Sequence, residues 1–309
     1  MKTVSLITAA LLLGTAGDLF AAVSKTDRFV QKWNAPSNTV VIENPIGNIE
    51  VHATDEPMVT ATVTKTVSGV DARALEEGRH LTAVGAAGDD NIRVLRTVLP
   101  PIRSTRWTSS VSWVVRVPRT VHVRIASNSS ERIRVSGIRA NVIIKNFSGT
   151  VLIDNVGAAV VESVNGSIVY DAGKPFANAK LSSINGDIHV IVAPDANFRW
   201  VADTIKGDYR TTMPVRGTLI GTVLRASVNA PGGPIIETLA MMGRIYLLRK
   251  NTTAAQAQSV RTMRDSISQV QAASLAEATR QQVVQGRFAY QTSLGNVAVN
   301  EVRGEAIVH

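Results

Sequence analysis

The chain has 309 residues, no cysteine and a formal net charge of +9. This length suffices for one long domain or for two of average size. The absence of cysteine excludes disulfides, thiolate metal sites and a cysteine nucleophile, so the fold must depend on a sizeable core or on repeated backbone pairing.

The first 22 residues have the pattern of a secretory signal peptide. Lys2 supplies a positive charge, residues 6–13 form an apolar stretch too short to span a bilayer, and Ala21 and Ala22 offer a cleavage site. A buried N-terminal helix is the alternative. We predict an exported protein of the periplasm, the outer surface or the extracellular space, with no transmembrane span in the mature chain.

Positive charge is concentrated in one segment of the chain. Residues 91–145 contain eleven Lys or Arg and one acid, Glu131, so this segment carries +10 and the rest of the chain about −1. Such a local excess favours an anionic partner, such as an anionic polysaccharide, an envelope surface or lipid head groups. Nucleic acid is disfavoured because the chain is predicted to be exported and contains no recognisable reading motif.

Apolar and polar residues alternate through residues 23–135, which we predict to be an N-terminal β-rich region. The stretch 71–83 predicts a short helix capped by Asp71. Residues 91–98 and 111–117 are predicted to pair as a hairpin. Further strands are predicted at residues 39–43, 47–51, 59–64, 121–125 and 132–135.

A repeated motif occupies residues 136–250. Each copy has a small polar residue, an apolar residue, Asn or Lys, a glycine, and then an alternating strand. The clearest copies have their glycines at Gly149, Gly166, Gly186 and Gly207, which are 17, 20 and 21 residues apart. Weaker copies lie at 44–51, 241–246 and 293–299. Units of this length cannot bury an apolar side alone, so they are predicted to stack on one another.

The motif also predicts a tight turn, because glycine tolerates positive φ. We expect the apolar residue before each turn, such as Val164, to point to the buried side together with the alternating residues after it. Stacking then predicts an all-β fold, a β-solenoid of short stacked strands with glycine turns along one edge. A pair of antiparallel sandwiches, with each Asn-Gly as a hairpin turn, is the alternative.

Several of these motifs resemble a bacterial family of β-solenoid domains of unknown function, known as the putative-adhesin family. They are Val117-Pro118, 135–138 (VSGI), 146–149 (NFSG) and 164–168 (VNGSI), and 44–51 is similar to the family's opening turn. The resemblance covers about residues 30–250. It implies a non-enzymatic adhesin or scaffold of the cell envelope, and it brings no catalytic residues.

Residues 251–286 depart from the repeat and are rich in Ala and Gln. Val260, Met263, Ile267 and Val270 fall on one helical face, which predicts a helical insertion that packs against the β-body. A flexible linker is the alternative. Strands are predicted again over residues 287–309.

The basic segment supplies the candidate ligand-binding residues. If the strands at 121–125 and 132–135 are adjacent, their outward arginines form a ladder that could follow a polyanion, with tryptophans nearby to stack on sugar rings. The predicted ligand-binding residues are Arg116, His122, Arg124, Arg132, Arg134, Arg139, Trp107 and Trp113. Exposed strand edges could also support self-association.

A carbohydrate-active enzyme on a β-helix is the alternative function. Asp187 and Asp208 follow a turn glycine at equivalent positions and could stack as neighbouring carboxylates. Thr150 and Ser167 occupy the same position in other copies, so a polar residue after the turn is the simpler account. No catalytic residue is predicted, and the five histidines lack metal-ligand spacing, so neither a metal site nor a cofactor is predicted.

Overall fold

A computed structural model describes residues 22–35, 38–101 and 104–251, together with the backbone of residues 288–292 and 295–299. The predicted signal peptide and the predicted helical insertion lie almost entirely outside the described residues. In the described ranges no helix is long and apolar enough to cross a membrane.

The elements before residue 137 are nine strands and one helix. They are β1 (Val23–Asn34), β2 (Thr39–Ile46), β3 (Ile49–Thr54), β4 (Met58–Gly69), α1 (Ala72–Leu81), β5 (Ala83–Gly88), β6 (Ile92–Val98), β7 (Trp107–Pro118), β8 (His122–Ser129) and β9 (Arg132–Ser136).

The later described elements are all strands. They are β10 (Val142–Ser148), β11 (Thr150–Asp154), β12 (Ala159–Asn165), β13 (Ile168–Gly173), β14 (Ala179–Ser183), β15 (Ile188–Val192), β16 (Phe198–Thr204), β17 (Tyr209–Thr211), β18 (Val215–Ile220), β19 (Val223–Val228), β20 (Ile235–Ala240), β21 (Ile245–Arg249), β22 (Phe288–Thr292) and β23 (Gly295–Val299).

These strands form two large mixed sheets, so the all-β class is confirmed. Sheet A has the order β1-β4-β7-β3-β9-β11-β13-β15-β21-β17, and sheet B has the order β18-β19-β16-β20-β14-β12-β10-β8-β2-β6-β5. From β8 to β15, consecutive strands alternate between the two sheets and pair in parallel with the strands above and below. β22 and β23 form a separate antiparallel pair.

The core lies between the two sheets because alternate residues of each strand point inward. In sheet B these residues include Ile144 and Val161, and in sheet A they include Val151 and Ile168, all of which are fully buried. Such β-branched side chains pack well on a pleated surface. The sheets continue past residue 135 without a break, since β9 pairs with both β3 and β11.

The separately predicted N-terminal strands and the helix are confirmed. Asp71 caps α1, and its carboxylate accepts a hydrogen bond of 2.7 Å from the backbone N–H of Ala74. The predicted hairpin of 91–98 with 111–117 is wrong. β6 lies in sheet B beside β2 and β5, whereas β7 lies in sheet A, where the twelve-residue β4 provides its antiparallel partner.

We call two consecutive strands, the first in sheet B and the second in sheet A, a rung. At one edge of the molecule, the turn edge, the chain passes from sheet B to sheet A within each rung, as at residues 146–150 and 183–188. At the other edge, the return edge, it passes from sheet A back to sheet B, as at residues 136–142.

The turn glycines of neighbouring rungs stack directly on one another at the turn edge. A Cβ atom on Gly166 would lie 1.9 Å from the carbonyl oxygen of Gly149. Gly149 has positive φ (+100°), but Gly166, Gly186 and Gly207 do not. Positive φ therefore does not explain why these three positions are glycine. The close approach of the backbones of neighbouring rungs does.

The rungs do not all follow chain order. The rung β2/β3 lies between β6/β7 and β8/β9, and the rung β20/β21 lies between β14/β15 and β16/β17. Near each end of the stack, therefore, one rung lies between two rungs that directly follow each other in the sequence.

Candidate functional site

The predicted arginine ladder is divided between the two faces of the molecule. β8 belongs to sheet B and β9 to sheet A, so Arg124 points outward from one sheet, and Arg132 and Arg134 point outward from the other. The condition for the ladder, that these two strands are adjacent, is not met. Consecutive strands here lie across the core from each other rather than side by side.

Arg132 and Arg134 are each paired with an acid. A guanidinium nitrogen of Arg132 lies 3.5 Å from Glu50, and one of Arg134 lies 3.6 Å from Asp154. These partners stand on the adjacent strands β3 and β11, directly beside β9. The outer face of sheet A is therefore close to neutral at this point.

Other cations of the basic segment are neutralised in the same way. Four of them pair with acids that lie outside the segment: Arg96 with Glu43, Arg106 with Asp71 (2.6 Å), Arg119 with Asp55 (2.7 Å) and Lys145 with Glu162 (3.4 Å). The Arg119 guanidinium hydrogen-bonds to Asp55 and lowers the pKa of that carboxyl group. The strong local charge in the sequence is thus largely offset by folding.

Four described cations of the segment form no ion pair with a described acid. Arg93 lies over the ring of Trp33, 5.9 Å from its centroid, and the other three are Arg116, Arg124 and Arg139. All three lie at or near the return edge. Arg116 stands near the end of β7, Arg124 near the start of β8, and Arg139 in the loop from β9 to β10, where its N–H donates to the Arg119 carbonyl oxygen at 2.8 Å. His122 opens β8 beside them and accepts a hydrogen bond of 3.1 Å from the Asn141 N–H. We call Arg116, Arg119, His122, Arg124 and Arg139 the basic edge.

The two tryptophans predicted to contact a ligand belong to the interior. Trp113 is fully buried, and its indole N–H donates to Thr97 Oγ1 at 2.9 Å. Trp107 is 7% exposed and lies against Gly78 of α1, where a Cβ atom would come within 2.7 Å of the indole. Neither ring offers a face to a ligand, so the prediction is wrong for both.

The carboxylates of the enzyme alternative are not neighbours. The strand β21 lies between β15 and β17, so Arg244 stands between Asp187 and Asp208. Asp187 accepts a hydrogen bond of 2.7 Å from the Arg244 backbone N–H. The charge of Arg244 therefore lies between the two carboxylates, and its guanidinium donates to the Tyr246 hydroxyl at 3.2 Å, so the two acids do not form a pair that shares a proton.

His189 is held by packing and not by Asp187. Its ring stacks on Tyr246, with centroids 4.5 Å apart and planes inclined by 19°. Burial lowers the pKa of His189, and the nearby charge of Asp187 acts in the opposite direction. The imidazole has no hydrogen-bond partner at Nδ1 among the described residues, so no group orients it for proton transfer.

A different surface, which the sequence interpretation missed, lies along the turn edge. The small polar residue of each of the four clearest copies is buried, and in three of them it binds a turn carbonyl of its own or a neighbouring rung. Asn146 donates to Gly149 (3.2 Å), Ser183 to Gly166 (2.9 Å) and Thr204 to Gly243 (3.0 Å). Because side chains alternate along a strand, the apolar residue that follows must point outward.

These outward apolar residues align across five strands of sheet B. Strand register, continued by one residue past the ends of β14, β20 and β16, places Phe147, Val164, Ile184, Met241 and Ile205 in one row. Phe147 is 54% exposed, Ile184 39% and Ile205 55%. We call this row the apolar stripe. The expectation that these residues point inward is wrong. The small polar residue that recurs before the apolar one in the four clearest copies is the signal that could have revealed it.

A shallow groove of about 470 Å³ runs beside the apolar stripe on sheet B. Its lining includes Phe147, Ile184 and the ion pair of Lys145 with Glu162. Glu162 is the carboxylate in this lining, and its cationic partner sits 3.4 Å away. The groove therefore does not bring carboxylates together.

Comparisons with known proteins find similarity among solved structures only. No protein-family model matches the chain, and no curated protein has a significant sequence match. A putative cell adhesion protein from Clostridium sporogenes is 12% identical, with 73% of this chain and all of that chain covered and a TM-score of 0.45. A putative adhesin from Parabacteroides distasonis is 12% identical over 72% of this chain and 96% of that chain, with a TM-score of 0.27.

A third similar structure is a putative lipid binding protein, also from Parabacteroides distasonis. It is 9% identical over 71% of this chain and 96% of that chain, with a TM-score of 0.27. None of these three proteins is described as an enzyme.

Proposed function

We propose that this protein is a non-enzymatic adhesin or scaffold of the cell envelope, exported by its N-terminal leader. We further propose that its alternating parallel strands form a β-solenoid, which presents the basic edge to anionic groups of a polysaccharide or of lipid head groups. In this proposal the fold supplies binding surfaces and no active site, since Asp187 and Asp208, the carboxylates that could have formed one, are separated by Arg244.

One observation carries the proposal. Of the described cations between residues 91 and 145, six are neutralised by acids brought in by the fold, whereas Arg116, Arg124 and Arg139 are exposed and have no acid partner in the described ranges. Arginine forms paired hydrogen bonds with planar carboxylates and with phosphates. Arg116 of sheet A, Arg124 of sheet B and Arg139 of the loop all lie at or near the return edge, and they are therefore the groups best able to bind an anionic polymer or head group there.

The test compares free with paired arginines. The variant with Arg116, Arg124 and Arg139 all replaced by Gln should lose at least about tenfold in affinity for polygalacturonate or for phosphatidylglycerol vesicles, because three charge contacts are lost. Wild-type binding should also weaken steeply with salt. The matched control replaces Arg96, Arg132 and Arg134 by Gln, which removes the same charge from paired positions.

The two probes separate the two sources of anionic groups. Binding to polygalacturonate alone assigns the edge to polysaccharide, and binding to vesicles alone assigns it to lipid head groups. Equal loss in the free-arginine and paired-arginine variants, or binding that does not change with salt, would contradict the basic edge as the site.

A further inference from the structure

We propose that the apolar stripe is the contact surface for a second copy of this chain, in a two-fold dimer whose stripes run antiparallel. Five large apolar side chains on or beside it are 39–55% exposed: Phe147, Ile184, Met241, Met242 and Ile205. Together they leave roughly 400–500 Å² of apolar surface in water, which is in the range of functional patches on monomeric proteins. The basic edge lies at the opposite edge, so this proposal is independent of the proposed ligand.

The stripe is complementary to itself when reversed. Ile184 is the third of its five residues, with two residues on either side. A two-fold axis through Ile184 places it against Ile184 of the second copy. The same axis sets the short Val164 against the long Met241, and the wide Phe147 against the branched Ile205. In an isologous contact the Val164–Met241 and Phe147–Ile205 pairs each occur twice, and in each a larger side chain meets a smaller one, whereas the Ile184 pair occurs once, on the axis.

Charge supports the same orientation. The row beside the stripe on sheet B contains Lys145 at one end and Asp203 at the other. Reversal brings Lys145 opposite Asp203 of the second copy, and Asp203 has no ion-pair partner among the described residues. A two-fold axis along the stripe would align the two stripes in parallel and exchange their flanks, so Lys145 would face the other flank and not Asp203.

The other flank of the stripe is polar but carries little charge. It contains Ser148, Asn165, Asn185 and Lys206, and an Asn185 amide N–H donates to Asn165 at 2.7 Å. Such a rim suits a protein interface better than it suits an anionic ligand, which would require cations. A stable dimer buries about 800 Å² on each partner, so both flanks must contribute area beside the stripe.

The test is the oligomeric state of the purified protein, measured by sedimentation over a wide range of concentrations. Wild type should dimerise, and Ile184→Asp should raise the dimer dissociation constant at least about tenfold, because two carboxylates then meet on the axis. Phe176→Asp is the matched control, because Phe176 is 57% exposed and lies between β13 and β14, away from the stripe. This variant should dimerise like wild type. Circular dichroism melts verify that both variants remain folded.

The absence of native cysteine allows orientation to be tested directly. Under mild oxidation Ile184→Cys should form a disulfide-linked dimer, and a mixture of Val164→Cys with Met241→Cys should form a mixed dimer. Efficient self-linking of Val164→Cys would overturn the antiparallel arrangement. A wild type that stays monomeric throughout overturns the proposal, and binding of that monomer to phosphatidylcholine vesicles, lost in Ile184→Asp, would assign the stripe to lipid instead.

Discussion

The backbone of Gly186 packs against the carbonyl oxygen of Gly166, so that a Cβ atom at Gly186 would lie only 2.1 Å from that oxygen. Neither glycine has positive φ, and the contact itself requires the missing side chain. Gly186→Ala should therefore force the two rungs apart and destabilise the protein by about 1–3 kcal/mol or more.

Gly85 provides the control for this substitution. It lies in the edge strand β5, and a Cβ atom there would have no atom within 4 Å. Gly85→Ala should change the free energy of unfolding by less than about 0.5 kcal/mol, measured by urea denaturation. Similar unfolding midpoints for Gly186→Ala and wild type would show that the rungs are less closely stacked than described.

The stacked His189 should make stability depend on pH. Burial lowers its pKa from an ordinary value of 6.5, so the unfolded chain binds a proton before the folded chain does as the pH falls. Stability should therefore be fully present above pH 6.5 and decrease below it. Asp187 partly opposes this shift, because its charge favours the protonated ring.

The variant His189→Phe keeps a ring for Tyr246 and removes the titration. Its free energy of unfolding, measured between pH 7 and pH 5, should fall less than that of wild type. His80→Gln alters an exposed histidine of α1 and serves as the control. Parallel curves for wild type and His189→Phe would exclude His189 as a source of the pH dependence.

The interior role of Trp113 gives a third prediction. Thr97→Val removes the acceptor of the indole N–H and leaves that donor buried without a partner. The expected loss is about 1–3 kcal/mol in urea denaturation. Thr108→Val changes an exposed threonine of β7 and should cost little. If Thr97→Val is as stable as wild type, the hydrogen bond contributes nothing to the fold.

Export should remove the leader near Ala21 or Ala22. N-terminal sequencing of protein recovered from the native envelope tests this prediction. Protein that retains Met1 in the envelope would contradict the proposed route. The docked helix predicted for residues 253–284 lies outside the described residues and stays a prediction.

Alternation along single strands was enough to predict which residues face the core. In β8, Val123 and Ile125 are buried and Arg124 is exposed, as the sequence pattern indicates. The same pattern says nothing about which sheet a strand joins. The sequence pattern therefore groups Arg124 with Arg132, although β8 and β9 lie in different sheets and face each other across the core.

The turn edge shows a second limit of hydrophobicity patterns. Phe147 is more apolar than Asn146, so the sequence favours burial of the phenylalanine. Asn146 is nevertheless the buried residue, because the Gly149 carbonyl oxygen needs a donor that a phenylalanine cannot supply. Since neighbouring residues point to opposite sides, satisfying that carbonyl oxygen exposes Phe147. Satisfaction of the backbone thus decides the side-chain direction here.

The insertion of β20/β21 between two other rungs has a consequence for the order in which the chain can fold. Residues 198–211 are synthesised before residues 235–249, at a time when β14 and β15 still offer open strand edges to them. Direct pairing at that stage would be a trap that must reopen, because β20 and β21 finally occupy those edges and Trp200 of β16 donates to Thr238 of β20 at 3.1 Å. Folding is therefore completed by inserting one rung between two others, and not by adding a rung at the end of the stack. The strands β14 to β17 cannot reach their final pairing until residue 249 has been synthesised.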